Sequence, residues 1–147
     1  MKIRVISVGR DRSGLFEPAV QEYAGRLKKQ QHDVDLVELK EQPSREKEAQ
    51  AVLQKCTPRD VLVCLDERGK SLSSPELAAQ LGRWRDEGRY VVFAIGGDEG
   101  HDESVRQRAN LVWSLSKLVM PHRLARAVVL EQIYRAFTIL RGEPYHK

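Results

Sequence analysis

The chain has 147 residues, 41% of them hydrophobic and 31% charged, with a formal net charge of +4. That length suits one domain around a buried core. The absence of any run of about 18 apolar residues argues against a membrane span, and Cys56 and Cys64 have no metal-ligand spacing. The charge is unevenly placed: the first 100 residues balance, whereas residues 101–147 hold eight basic and four acidic side chains. Such a segment attracts a polyanion such as RNA, or is an ordinary solvated helix face. The opening "MKIRVISVG" has no signal-peptide layout, and two unpaired thiols fit a cytoplasmic setting.

In chain order, "KIRVISVG" is β-branched and predicts a strand ending at Gly9. "DRSGLFEPAV" reads as a loop and helix entry. "PAVQEYAGRLKKQ" follows as a helix, with Ala19, Val20, Tyr23 and Leu27 near helical spacing. "VDLVEL" alternates as a second strand. "SREKEAQAVLQKC" predicts a helix capped by Ser44, with Lys47 where a capping box would have an acid. "DVLVCLD" is a continuous apolar run, as in a strand buried on both faces. "ERGKSLSS" reads as a loop, with Ser74 capping and Pro75 opening the helix "PELAAQLGRWRDEG". "YVVFAIGG" is another buried strand that runs into paired glycines. "DESVRQRA" is a short helix and "NLVWSLS" a fifth strand. After Met120-Pro121, "HRLARAVVLEQIYRAFTILRG" predicts a long helix with an apolar stripe of Leu124, Ala127, Leu130, Tyr134 and Phe137, stopped at Gly142. Strict alternation of strand and helix predicts an α/β fold: a single domain with a mostly parallel sheet and helices on both faces.

In such sheets ligands bind beyond the carboxyl ends of the strands. Three ends stand out: Leu65-Asp66, Gly96-Gly97, and the run from "NLVWSLS" into "LSKLVMP". No Walker A loop or dinucleotide fingerprint occurs, and Asp98 and Glu99 would repel a pyrophosphate, so a neutral or zwitterionic ligand is favoured. The four histidines, His32, His101, His122 and His146, form no metal-binding cluster, and no Gly-x-Ser-x-Gly elbow is present.

Three stretches, "VFAIGGDEG", "WSLSKLVMPHRLARAVVLEQIYRAF" and "RGEPYHK", in this order and at these distances, resemble the bacterial large-subunit ribosomal RNA pseudouridine N3-methyltransferases of the SPOUT class. "MKIRVISVGR" and "LDERGKSLSSPELA" resemble them too, so the likeness spans nearly the whole chain as one domain over residues 1–147. The resemblance implies a C-terminal trefoil knot roughly within residues 91–147, a rare exception to topology rules. It also implies a homodimer, S-adenosylmethionine as methyl donor and 23S rRNA within the ribosome as substrate, with no metal. The cofactor-binding residues it implies are Leu65, Gly96, Leu115, Ser116, Lys117, Leu118, Val119 and Met120. The chain departs from the usual pattern at His101, often hydrophobic in the family, at Leu118-Val119-Met120, often Met-Thr-Phe, and at Arg123, often polar or proline.

The imide N3 of a pseudouridine must lose a proton as the methyl arrives, so a base, or a cation that favours the imidate, is needed. The candidates are His122, Arg123, Arg126, Glu131, Tyr145 and His146. Each has a structural alternative: Glu131 is spaced for an ion pair with Arg135, His122 for helix-start packing, and Arg123 and Arg126 for phosphate contact or solvation. Trp84 and Trp113 read as core or interface residues. The tail "EPYHK" either docks on the last helix or enters a cofactor pocket, that of the other subunit included. Two further readings stand beside the enzyme: a non-catalytic RNA-binding ribosome assembly factor, and a flavodoxin-like small-molecule binder.

Overall fold

A computed structural model describes residues 1–147. Its elements are β1 (Lys2–Val8), α1 (Glu17–Lys29), β2 (Asp33–Leu39), α2 (Arg45–Leu53), β3 (Val61–Ser71), α3 (Ser74–Asp86), β4 (Val91–Ile95), α4 (Glu103–Arg108), β5 (Leu111–Ser114) and α5 (His122–Leu140). The strands form one sheet in the order β2-β1-β4-β3-β5, and every pair is parallel. The expected alternation is therefore the observed architecture.

Side-chain alternation along the central strands splits the core in two. Ile3, Val5, Val61, Val63, Val91 and Phe93 face α1, α3 and α5. Ile6, Val8, Leu62, Cys64, Val92 and Ala94 face α2 and α4. Both faces of β3 and β4 are thus buried, which is why these strands read as continuous apolar runs. Burial pushes the Cys64 thiol up to about 12, so it is an inert core group. No helix is long and apolar enough to cross a membrane.

Four expectations need correction. First, β3 does not end at Asp66. Leu65 and Lys70 both pair with Trp113, so residues 66–69 bulge out and the strand resumes beside β5 through Ser71. The Cα of Gly69 lies against β5, where an added Cβ would stand 2.6 Å from the Val112 carbonyl oxygen. Second, α3 is capped by Ser73. Glu76 at the third helical position reaches back to the Ser73 N–H, completing a capping box, while Ser74 Oγ donates to Gln132 on α5 at 2.7 Å.

Third, the buried stripe of α5 is rotated from the one read off the sequence. Val129, Leu130, Ile133, Ala136 and Phe137 are at most 1% exposed, whereas Leu124 and Tyr134 are only half-buried. The helix packs on α1, α3 and the sheet together, so its apolar arc must serve three neighbours. Fourth, the basic excess of the last third is largely consumed inside the fold. Arg106, Arg126, Arg135 and Arg141 pair with carboxylates, and Arg108 donates to the carbonyls of Thr57 and Asp60. Arg126, 4% exposed, is neither solvated nor free for a phosphate: it spans Glu17 at 3.1 Å and Glu38 at 3.8 Å.

Candidate active site

The bulge of β3, where its buried run ends, and the carboxyl ends of β4 and β5 converge on one cavity of about 530 Å³. A pocket of this size at this place is where an open α/β sheet holds a small ligand.

The first wall is the bulge within β3. Asp66 accepts hydrogen bonds from the backbone and guanidinium of Arg68, and from Arg106 at 3.1 Å. Burial alone would raise its pKa, but these bonds outweigh it and hold Asp66 below the ordinary carboxylate range. The second wall is the turn after β4. Gly97 and Gly100 bridge, and a Cβ on Gly96 would lie 2.9 Å from the Gly100 carbonyl carbon, so only glycine fits there.

The third wall is the loop between β5 and α5. Ser114 Oγ donates to the Ser116 carbonyl at 2.9 Å, and Ser116 Oγ accepts from the Leu118 N–H at 3.0 Å. These two bonds turn the loop at Ser116, and Leu115, Ser116 and Leu118 line the cavity. Leu118 and Val119 are left 77% and 78% exposed at its mouth.

Of the residues implied by resemblance to contact a cofactor, Leu65, Gly96, Leu115, Ser116, Leu118, Val119 and Met120 line this cavity. Lys117 does not; it is exposed, and the turn at Ser116 carries it outside. Sequence reasoning read the acidic character of the lining at Asp98 and Glu99 but missed it at Asp66 and Glu67. Asp66, Glu67, Asp98 and Glu99 surround the space, with Arg68 the one lysine or arginine among them. The signal was present in "LDERG" and "GGDEG", charged runs placed directly after buried strands.

The candidates for proton transfer fall in two places. His122, at the start of α5, lines the cavity, with Nδ1 3.4 Å from Asp98 Oδ1 and with Nε2 sealed and unpartnered. Arg123 is beside it, half-exposed, with Asp11 3.8 Å away. Glu131, Tyr145 and His146 form a separate cluster. Glu131 accepts from Arg135 at 2.6 Å and from the Tyr145 hydroxyl at 3.0 Å, and Arg135 reaches His146 Nδ1 at 3.1 Å.

Tyr145 also packs edge-on against Tyr134, with ring centroids 4.8 Å apart. Burial, with Tyr23 and Glu131 beside it, raises the Tyr145 phenol well above its ordinary range, so it acts here as a donor. Glu131 is nine residues along α5 from His122, roughly 13 Å at 1.5 Å per residue. The tail is therefore docked on its own helix, away from the cavity of its own chain.

A match covering residues 1–146 to the family described as "Predicted SPOUT methyltransferase" settles the affiliation. The chain belongs to the SPOUT methyltransferase family. The chain is also similar along its full length to proteins named as methyltransferases. A "Ribosomal RNA large subunit methyltransferase H" from Anaeromyxobacter sp. (strain Fw109-5) is 47% identical, over 100% of both chains. One of the same name from Cereibacter sphaeroides (strain ATCC 17025 / ATH 2.4.3) is 46% identical, over 100% of this chain and 99% of its own. The parallel sheet with helices on both faces is the α/β arrangement expected of a SPOUT methyltransferase.

The lining fits S-adenosylmethionine on its own chemistry. Four carboxylates suit a sulfonium cation and disfavour a polyphosphate, bare glycine backbone admits a flat ring, and Leu65, Leu115, Leu118 and Met120 supply apolar contact.

Proposed function

We propose that this chain is an S-adenosylmethionine-dependent methyltransferase that methylates N3 of a pseudouridine in 23S rRNA. We further propose that it acts on the assembled ribosome, as a homodimer, in the cytoplasm. The observation that carries the reading is the acidic, glycine-floored cavity at the bulge of β3 and the ends of β4 and β5, in a chain that matches rRNA methyltransferases along its full length. The trefoil knot expected within residues 91–147 belongs to the same proposal.

S-adenosylmethionine, when bound, supplies a methyl group already activated by its sulfonium. The chain's own residues then orient and deprotonate. Asp66, Glu67, Asp98 and Glu99 favour the cation, and the backbones of Gly96, Leu115, Ser116, Leu118, Val119 and Met120 hold the ligand's polar edges. His122 is the proton acceptor on the cavity wall and acts through Nδ1, the ring nitrogen that protein does not seal, which lies 3.4 Å from Asp98 Oδ1. The Glu131–Arg135–Tyr145–His146 cluster is too far to act in its own chain, so in this reading a second copy presents it to the cavity, where Arg135 and Tyr145 stabilise the imidate.

The test offers labelled S-adenosylmethionine with assembled ribosomes from an unmethylated strain, with free large subunits and with naked rRNA. Label should enter large-subunit RNA, most of all in the assembled ribosome. No label in any of the three, from protein that binds the donor, would overturn the reading and leave a non-catalytic RNA-binding factor.

A further inference from the structure

His101 follows the turn after β4; it is 5% exposed and forms part of the cavity lining. Its Nε2 lies 3.0 Å from the carbonyl oxygen of Ala94. A carbonyl only accepts, so Nε2 carries the proton. Burial, opposed in part by that hydrogen bond and by Asp66, holds the ring below the ordinary histidine range. The imidazole is therefore neutral at pH 7, and Nδ1 is a bare lone pair.

Nδ1 makes no hydrogen bond within the chain, yet it is not among the atoms sealed by protein. The ring is also held in place from its backbone. The His101 carbonyl accepts from Arg106 at 2.9 Å, and the same guanidinium nitrogen of Arg106 bonds Asp66. An acceptor this well fixed, almost buried and unpaired, is incomplete without a donor from the ligand.

We propose that His101 is a specificity-determining residue whose Nδ1 accepts a hydrogen bond from the nucleoside part of the ligand in this cavity. The inference rests on the cofactor reading above and deepens it. The required chemistry is an N–H or O–H donor, supplied on adenosine by the exocyclic amino group or by a ribose hydroxyl. An apolar side chain at this position would line the same wall without selecting for either.

Calorimetric titration of the full chain with S-adenosylhomocysteine tests this, using the wild type, His101→Leu and His101→Gln, and the N6,N6-dimethyl, 2′-deoxy and 3′-deoxy analogues. Loss of one hydrogen bond should weaken binding to His101→Leu about five- to tenfold. His101→Gln, which keeps an acceptor, should lose less. In the wild type one analogue should pay a similar factor, and the identity of that analogue names the donor: the dimethyl compound for the amino group, a deoxy compound for a hydroxyl. His101→Leu should bind that analogue and the parent alike. Equal affinity of wild type and His101→Leu for S-adenosylhomocysteine, or identical analogue penalties in both proteins, would overturn the inference while leaving the cofactor reading intact. No binding to the wild type at all would overturn both. If His101→Leu does not fold, the analogue series on the wild type and His101→Gln carries the same test.

Discussion

Asp66 shows how a single side chain shapes a wall of the site. It ends the buried run of β3 and gathers bonds from Arg68 and Arg106, which holds residues 66–69 out of the sheet as a cavity wall. Asp66→Asn should cost about 1–3 kcal/mol in urea unfolding at pH 7, since bonds to a charged acceptor are lost or weakened. The sign with pH follows from its lowered pKa. The stabilisation is fully present above the unfolded value near 3.8 and fades as pH falls below it toward the folded value, so the gap between wild type and variant should close in acid. A gap that is constant with pH would show that the charge is not what stabilises the wall. At this scale the sequence was partly legible. Gly96 was readable only in part: glycines at a strand end let a ligand approach the backbone, but a plain tight turn leaves the same pair, and the family resemblance had to decide. The burial of Arg126 was not, because its partners Glu17 and Glu38 are distant in sequence and meet it only through packing.

Among the elements, α5 carries the most, with His122 at its start on the cavity and Glu131 and Arg135 farther along holding the tail. Its existence and its stop were legible from composition. Gly142, with φ +69, follows the last helical turn, and the Glu143 N–H bonds the Thr138 carbonyl at 2.9 Å as in a Schellman turn. Its exact buried face was not legible, because helical periodicity cannot say how many neighbours a helix will meet. For the same reason the second half of β3 was hidden: "ERGKS" has turn composition, and only its pairing with Trp113 and Ser114 makes it a strand. Deleting residues 144–147 removes Tyr145 and His146 but no core residue. The truncated protein should keep its fold and its binding of S-adenosylmethionine, while rRNA methylation falls by at least about 100-fold, on the order expected for losing groups that act in the transition state. Full activity after truncation would reduce the tail to a helix dock.

For the molecule as a whole, the alternation of strand and helix made the sheet and its two-faced core readable, while the strand order was not, since it depends on which crossovers skip a neighbour. Two features bear on assembly. The tail cluster lies roughly 13 Å along α5 from the cavity, and Leu118 and Val119 are bare at the cavity mouth. If a second copy completes each site, two inactive variants should rescue one another. Mixing tail-deleted chains with Gly96→Val chains, then allowing exchange, should restore about a quarter of the wild-type rate: half of randomly assorted two-fold dimers are mixed, and each carries one intact site. No recovery would place the tail's action within its own chain. The central claim is tested most directly by nucleoside mass spectrometry of large-subunit RNA, after unmodified ribosomes have been incubated with this protein and S-adenosylmethionine. The account predicts one new nucleoside, a pseudouridine bearing a methyl on N3. RNA with no new methylated nucleoside, or with the methyl on a different base or atom, would contradict it.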